Sequence, residues 1–142
     1  MAAIADDISI NTLIGSGSFI RGDMRIAGFI RIDGDLDGNL ETTGRVIVGE
    51  KARIRGDIRS LVITIGGIVQ GDVIAPEGVN ILSTGVVLGT VITRKLVIED
   101  SVLFSGSCFA VNDQDLFDAA LSEYNNRKAL SRSLASAARS QI

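Results

Sequence analysis

A glycine-centred pentad, apolar-x-Gly-x-apolar, returns six times between residues 20 and 108, and it leaves few folds open to the chain that carries it. The copies are Ile20-Arg-Gly22-Asp-Met24, Leu36-Asp-Gly38-Asn-Leu40, Ile54-Arg-Gly56-Asp-Ile58, Val69-Gln-Gly71-Asp-Val73, Val87-Leu-Gly89-Thr-Val91 and Phe104-Ser-Gly106-Ser-Cys108. Their glycines lie 16, 18, 15, 18 and 17 residues apart. That period is too short for a helical repeat and suits one coil of a β-solenoid.

Within each period the apolar residues alternate as a strand requires, in pairs separated by one outward residue. The inward pairs run Thr12/Ile14, Ser18/Ile20, Met24/Ile26, Ile30/Ile32, Gly34/Leu36, Leu40/Thr42, Val46/Val48, Ala52/Ile54 and Ile58/Ser60. They continue as Ile63/Ile65, Gly67/Val69, Val73/Ala75, Val79/Ile81, Gly85/Val87, Val91/Thr93, Leu96/Ile98, Val102/Phe104 and Cys108/Ala110. Of these 36 positions, 28 are apolar, eight are Gly, Ser or Thr, and none is charged, in a chain with 22% charged residues. The pattern predicts eighteen short strands in six triangular coils, an all-β solenoid over residues 12–111. Corners rich in Gly, Asp, Asn and Ser supply the positive φ angles and local hydrogen bonds of tight bends.

Residues 1–11 read as a lead-in or as a cap on the first coil. From residue 112 the period changes. Asn112 or Asp113 can cap a helix, acids stand early and cations late, and Leu116, Phe117, Ala120, Leu121, Tyr124, Leu134 and Ala138 recur at helical spacing. A helix over roughly residues 114–136 is expected in a tail spanning 112–142.

The chemistry that a solenoid can carry is narrowed by composition. Hexapeptide-repeat acyltransferases and zinc-dependent carbonic anhydrases of similar coil length lean on histidine, and this chain has none. Gly15-Ser-Gly17-Ser lacks the third glycine of a dinucleotide motif and the lysine of a P-loop, so it reads as a corner. The row after the pentad glycines, Asp23, Asn39, Asp57, Asp72, Thr90 and Ser107, could be imagined as calcium ligands. It lacks the nonapeptide spacing of calcium-binding rolls, and corner capping is the reading preferred. Cys108, the one cysteine, excludes an internal disulfide and falls on an inward position, as a buried structural thiol would. No catalytic residue, cofactor or metal is expected. With a net charge of -3 and no basic run, no nucleic-acid partner is expected either. No secretion signal and no run of eighteen apolar residues is visible, which points to a cytoplasmic, non-spanning protein.

Outward positions carry a second message. From Thr64 onward they turn apolar, and coil stacking collects Ile68, Val86 and Leu103 on one face and Ile74, Ile92 and Phe109 on the next. Such stripes should be covered, by the chain's own tail folding back or by lateral contact with another rod or a membrane surface. At the two ends the coils present apolar side chains and unpaired strand edges. A polymerisation interface is expected at Ile14, Ile20 and Met24 of the first coil and at Ile98, Val102, Phe104 and Cys108 of the last.

Taken as a set, Arg21-Gly22-Asp23, Ile30-Arg-Ile-Asp-Gly34-Asp-Leu-Asp-Gly38-Asn-Leu40, Val46-Ile-Val-Gly49, Ile54-Arg-Gly-Asp-Ile58, Leu96-Val-Ile-Glu-Asp100 and Phe104-Ser-Gly106-Ser-Cys108 resemble the bactofilins, polymer-forming bacterial cytoskeletal proteins. The resemblance covers about 100 residues. It implies a right-handed parallel β-helix of six triangular windings that joins end to end into nucleotide-independent, non-polar filaments. It also implies a scaffold for cell shape or for placing envelope and wall-synthesis proteins, often at the inner face of the membrane. A hexapeptide-type acyltransferase and a monomeric binding rod capped by its tail stand as the alternatives.

Overall fold

The computed structural model describes residues 10–140, with side chains up to Leu134, so most of the expected lead-in lies outside the described residues. Residues 12–110 wind into a parallel β-solenoid. One face stacks β1 (Thr12–Ile14), β4 (Ile30–Ile32), β7 (Arg45–Val48), β10 (Val62–Ile65), β13 (Gly78–Ile81) and β15 (Leu96–Ile98) in that order. The second face stacks β2 (Phe19–Arg21), β5 (Asp35–Asp37), β8 (Arg53–Arg55) and β11 (Ile68–Gln70), and the third β3 (Met24–Ile26), β6 (Leu40–Thr42), β9 (Ile58–Arg59) and β12 (Val73–Ala75). Both are completed by β14 (Val86–Thr93) and β16 (Leu103–Ala110).

Sixteen strands are therefore seen where eighteen short ones are expected. The two long strands each run through a pentad corner without a break, because Gly89 and Gly106 stay in register and the ladder between them continues from Val86↔Leu103 to Thr93↔Ala110. The coil count is unchanged. Six coils at ~4.8 Å give a rod on the order of 29 Å long.

Register follows the alternation of the sequence. Ile14, Ile32, Val48, Ile65, Ile81 and Ile98 are successive Cα partners, so one inward column threads the rod. All 24 inward positions of the four middle coils, from Ile30 to Thr93, are buried. The hydroxyl-bearing members of that set, Thr42, Ser60 and Thr93, donate to the backbone carbonyls of Gly28, Val62 and Lys95. Their burial therefore leaves no donor unpaired.

The six pentad glycines form the corner between the second and third faces. Their φ values run from 126° to 158°, a region L side chains rarely adopt. A Cβ at Gly38, Gly56, Gly71 or Gly89 would lie 2.0 Å from the carbonyl oxygen of the glycine one coil earlier, and at Gly106 1.9 Å. The repeat needs glycine because coils touch backbone to backbone there. The residue after each of the first four glycines ties the coils together: Asp23 Oδ1 accepts from Asn39 N, Asn39 Oδ1 from Asp57 N, Asp57 Oδ1 from Asp72 N and Asp72 Oδ1 from Thr90 N, at 2.9 to 3.0 Å. This row is a hydrogen-bond ladder, which is the corner-capping role.

Helix α1 (Gln114–Ser140) follows β16 after three residues. Asp113 caps it, its carboxylate accepting from the N–H groups of Asp115 (2.7 Å) and Leu116 (3.3 Å). The helix begins where expected and runs four residues further, to Ser140 rather than 136.

Candidate functional site

Two features stand outside the uniform rod: its open ends and the helix on its flank. At the first coil only Ile14 is buried; Ile20 and Met24 are half-buried and Ser18 is exposed. At the last coil Val102 and Phe104 are half-buried, while Ile98 and Cys108 are exposed. These side chains occupy the positions that are fully buried one coil further in, and Ile20, Met24, Val102 and Phe104 pack onto the same core. The open mouth also corrects the reading of Cys108 as a buried thiol. It keeps its inward register opposite Val91, but no seventh coil covers it, and the residue is exposed.

The helix covers one of the two outward apolar stripes. Phe117, 2% exposed, seats against Ile74 (5%) and Ile92 (1%), with Ala120, Leu121 and Tyr124 around them. Phe109, the third member of that stripe, remains 40% exposed because the helix lies over coils three to five rather than the last. The other stripe has no cover: Ile68 and Leu103 are exposed and Val86 is half-buried. Leu116 and Leu134, expected on the packed face of the helix, are 59% and 62% exposed, and the side chain of Ala138 lies outside the described residues. The docking face is narrower than the apolar pattern suggests. It comprises Phe117, Ala120, Leu121, Tyr124 and Lys128, and it ends where the helix passes the glycine corner.

At that corner the helix meets the aspartate ladder. Tyr124 donates its hydroxyl proton to Asp72 Oδ2 (2.7 Å), and Lys128 Nζ lies 2.7 Å from Asp57 Oδ2 and 3.4 Å from Asp72 Oδ2. Each aspartate thus gives one oxygen to the next coil and the other to the helix. Partial burial works against the Asp72 carboxylate, yet the Tyr124 hydroxyl, the Thr90 N–H and the Lys128 ammonium outweigh it and hold Asp72 below the usual carboxylate range. Burial together with the bond to Asp72 pushes the Tyr124 phenol up to about 12. Burial disfavours charge on Lys128, but the bond and attraction to Asp57 prevail and raise its pKa. Arg59 adds a bond to Asn125 (3.2 Å). Sequence reasoning missed this latch. Its only trace is a Tyr and a Lys, four residues apart, on the face that also carries Phe117.

Among the described residues no helix is long and apolar enough to cross a membrane. Among the described residues a regular core stands open at both mouths, with the Asp57 and Asp72 carboxylates committed to the coil ladder and to the tail, and this defines the class: a parallel β-solenoid.

Comparison with known proteins narrows the class. A model of the bactofilin family, described as polymer-forming cytoskeletal, matches residues 12–109. The chain is similar to the bactofilin in a cryo-EM reconstruction of Thermus thermophilus bactofilin double helical filaments. The TM-score is 0.67 and the identity 29%, over 70% of this chain and 98% of that one. A search of curated protein sequences returns no match. The chain belongs to the bactofilin family and is a polymer-forming cytoskeletal protein.

Proposed function

We propose that the protein assembles end to end, like mouth to like mouth, into non-polar filaments that need no nucleotide and act as a scaffold for cell shape or for positioning envelope and wall-synthesis proteins. The observation that carries this reading is the contrast in burial: every inward position of the middle four coils is buried, whereas Ile20, Met24, Ile98, Val102, Phe104 and Cys108 are partly or fully open at the mouths. Covering apolar side chains there is favourable at ~25 cal/mol per Å² of surface removed from water. The exposed strand edges add main-chain hydrogen bonds in the same step. Joining needs apolar contact and backbone pairing only. If like ends meet, each joint is two-fold, and the polymer still propagates because the two ends differ.

Membership of a polymer-forming family and likeness to a bactofilin seen in double helical filaments support the polymer, and the family resemblance supports the roles in shape and at the inner face of the membrane. The flank position of α1, over coils three to five, counts against a tail that caps the rod.

Phe104→Arg places a charge in the last-coil joint and should leave short oligomers in negatively stained samples. Ile98→Arg, at a side chain already 48% exposed, tests the same joint without disturbing packing. Long filaments from both folded variants would sink the end-joint assignment.

A further inference from the structure

Helix α1 has a second patterned flank, of which only Ala120 touches the solenoid cluster among the described residues. Leu116, Ala120, Glu123, Arg127, Leu130 and Leu134 follow one another at steps of four, three, four, three and four residues. That is the spacing of a two-helix seam. Four of the six precede the docking residues Phe117, Leu121, Tyr124 and Lys128 by one position, so the seam lies about 100° round the helix from the solenoid. Its leucines are open: Leu116 is 59% exposed, Leu130 60% and Leu134 62%. Leu130 and Leu134 lie beyond the last docking residue, where every described side chain from Ala129 to Leu134 is exposed.

The order of residues along this flank is self-complementary. Its centre is residue 125, and a second copy turned end for end about that point sets Leu116 against Leu134, Ala120 against Leu130, and Glu123 against Arg127 in both directions. A parallel arrangement would instead set Glu123 against Glu123 and Arg127 against Arg127, like charge on like. Within one chain Glu123 and Arg127 pair with each other, and both remain more than 60% exposed. They are free to exchange partners with the copy.

From this we infer that tail helices of neighbouring rods pair antiparallel along this flank, tying rods side by side. The occupant is a second copy of this chain. The seam covers about 27 Å of helix, some two and a half heptads, which is short for a stable coiled coil. One pair is therefore weak. A filament that repeats the seam at each subunit multiplies it, because every further pair closes at high effective concentration. The family match covers residues 12–109 and the helix begins beyond it, at Gln114, so this contact belongs to the tail and not to the shared solenoid.

The pairing adds lateral contact to the end-to-end reading and rests on it only for filament width. Charge exchange tests it. Glu123→Arg alone and Arg127→Glu alone should each yield single filaments of unchanged length, because the end joints are untouched. The Glu123→Arg/Arg127→Glu double variant should restore paired filaments, and so should an equimolar mixture of the two single variants, which cannot restore any contact within one chain. Paired filaments in either single variant, or single filaments from the mixture, would overturn the inference; loss of filaments altogether would instead count against the end joints.

A second measurement reads the seam without filaments. In a Cys108→Ser background, mild oxidation of a mixture of Leu116→Cys and Leu134→Cys proteins should give a covalent dimer at least tenfold faster than either protein alone. Equal rates, or no cross-link, would refute antiparallel pairing whatever the state of the polymer.

Discussion

Replacing a pentad glycine with alanine should cost very different amounts at the middle and at the end of the rod, although the sequence around the two is nearly the same. At Gly71 (φ +153°) a Cβ would stand 2.0 Å from Gly56 O, at least 1 Å inside the 3.0 Å that real Cβ atoms respect. The third and fourth coils would have to part. The bonds that hold them together at this corner are Gly56 N to Gln70 O (3.0 Å), Ile58 N to Asp72 O (2.8 Å) and Asp72 N to Asp57 Oδ1 (3.0 Å). Weakening three bonds at ~1 kcal/mol each, with ~2 kcal/mol for an L residue in this backbone region, gives about 5 kcal/mol. That is a large share of the ~5–15 kcal/mol that holds a domain together.

At Gly22 (φ +126°) nothing lies within 4 Å, so only the backbone cost of ~2 kcal/mol applies. The difference of ~3 kcal/mol corresponds to roughly 10 °C in Tm for a domain of this size. Thermal melts followed by circular dichroism should show Gly71→Ala melting about that far below Gly22→Ala. By the repeat, the added methyl at Gly22 points out of the first coil, into the mouth. Gly22→Ala should therefore fold and yet sediment as short oligomers. Equal melting temperatures for the two variants would refute the claim that coil stacking, rather than backbone conformation alone, demands glycine.

Three further outcomes follow from the latch between helix and solenoid. Tyr124 is the only tyrosine and the chain has no tryptophan, so absorbance near 295 nm reports this phenol alone; its midpoint should fall near 12, and Asp72→Asn should move it toward the ordinary ~10. Because the docked phenol has a raised pKa, its contribution to docking is complete below pH ~10 and is lost as pH climbs toward 12. Asp72, held low, contributes above pH ~4 and loses its share only as pH drops through its depressed pKa. Helix protection in hydrogen exchange should accordingly be flat between those limits and fall beyond them; steady loss between pH 6 and 9 would refute this account. Phe117→Ala should cost docking ~3 kcal/mol, with amide exchange accelerated along 114–128 and the main solenoid melt unmoved. A matching fall in the solenoid transition would mean that helix and rod fold as one unit.

The inward register was legible residue by residue. Charge is excluded from every inward position, and a one-residue slip would put Arg31, Arg53 and Asp35 into the core, which desolvation forbids. The glycine corners were legible for the same reason, since only glycine can repeat where backbone stacks on backbone. The helix start was legible in Asp113. Strand count was not, because two strands run on through Gly89 and Gly106, and nothing in their pentads separates them from the other four. Nor was the tail's berth. Ile68/Val86/Leu103 and Ile74/Ile92/Phe109 are equally apolar, and composition cannot choose between them.

The sequence by itself thus determined the coil, its period, its inward face and the existence of a tail helix, because these follow from local alternation and from backbone contacts repeated every 15 to 18 residues. Only the tertiary structure decided that the tail lies on the third face, and that Leu116, Leu130 and Leu134 point away from the rod. It also decided that Cys108 stands at an open mouth. A three-residue link after Ala110 brings Phe117 within reach of Ile74 and Ile92, and the free oxygens of Asp57 and Asp72 then hold Tyr124 and Lys128 at the corner. Those partners lie 25 to 71 residues away along the chain and become neighbours only once the coils have stacked.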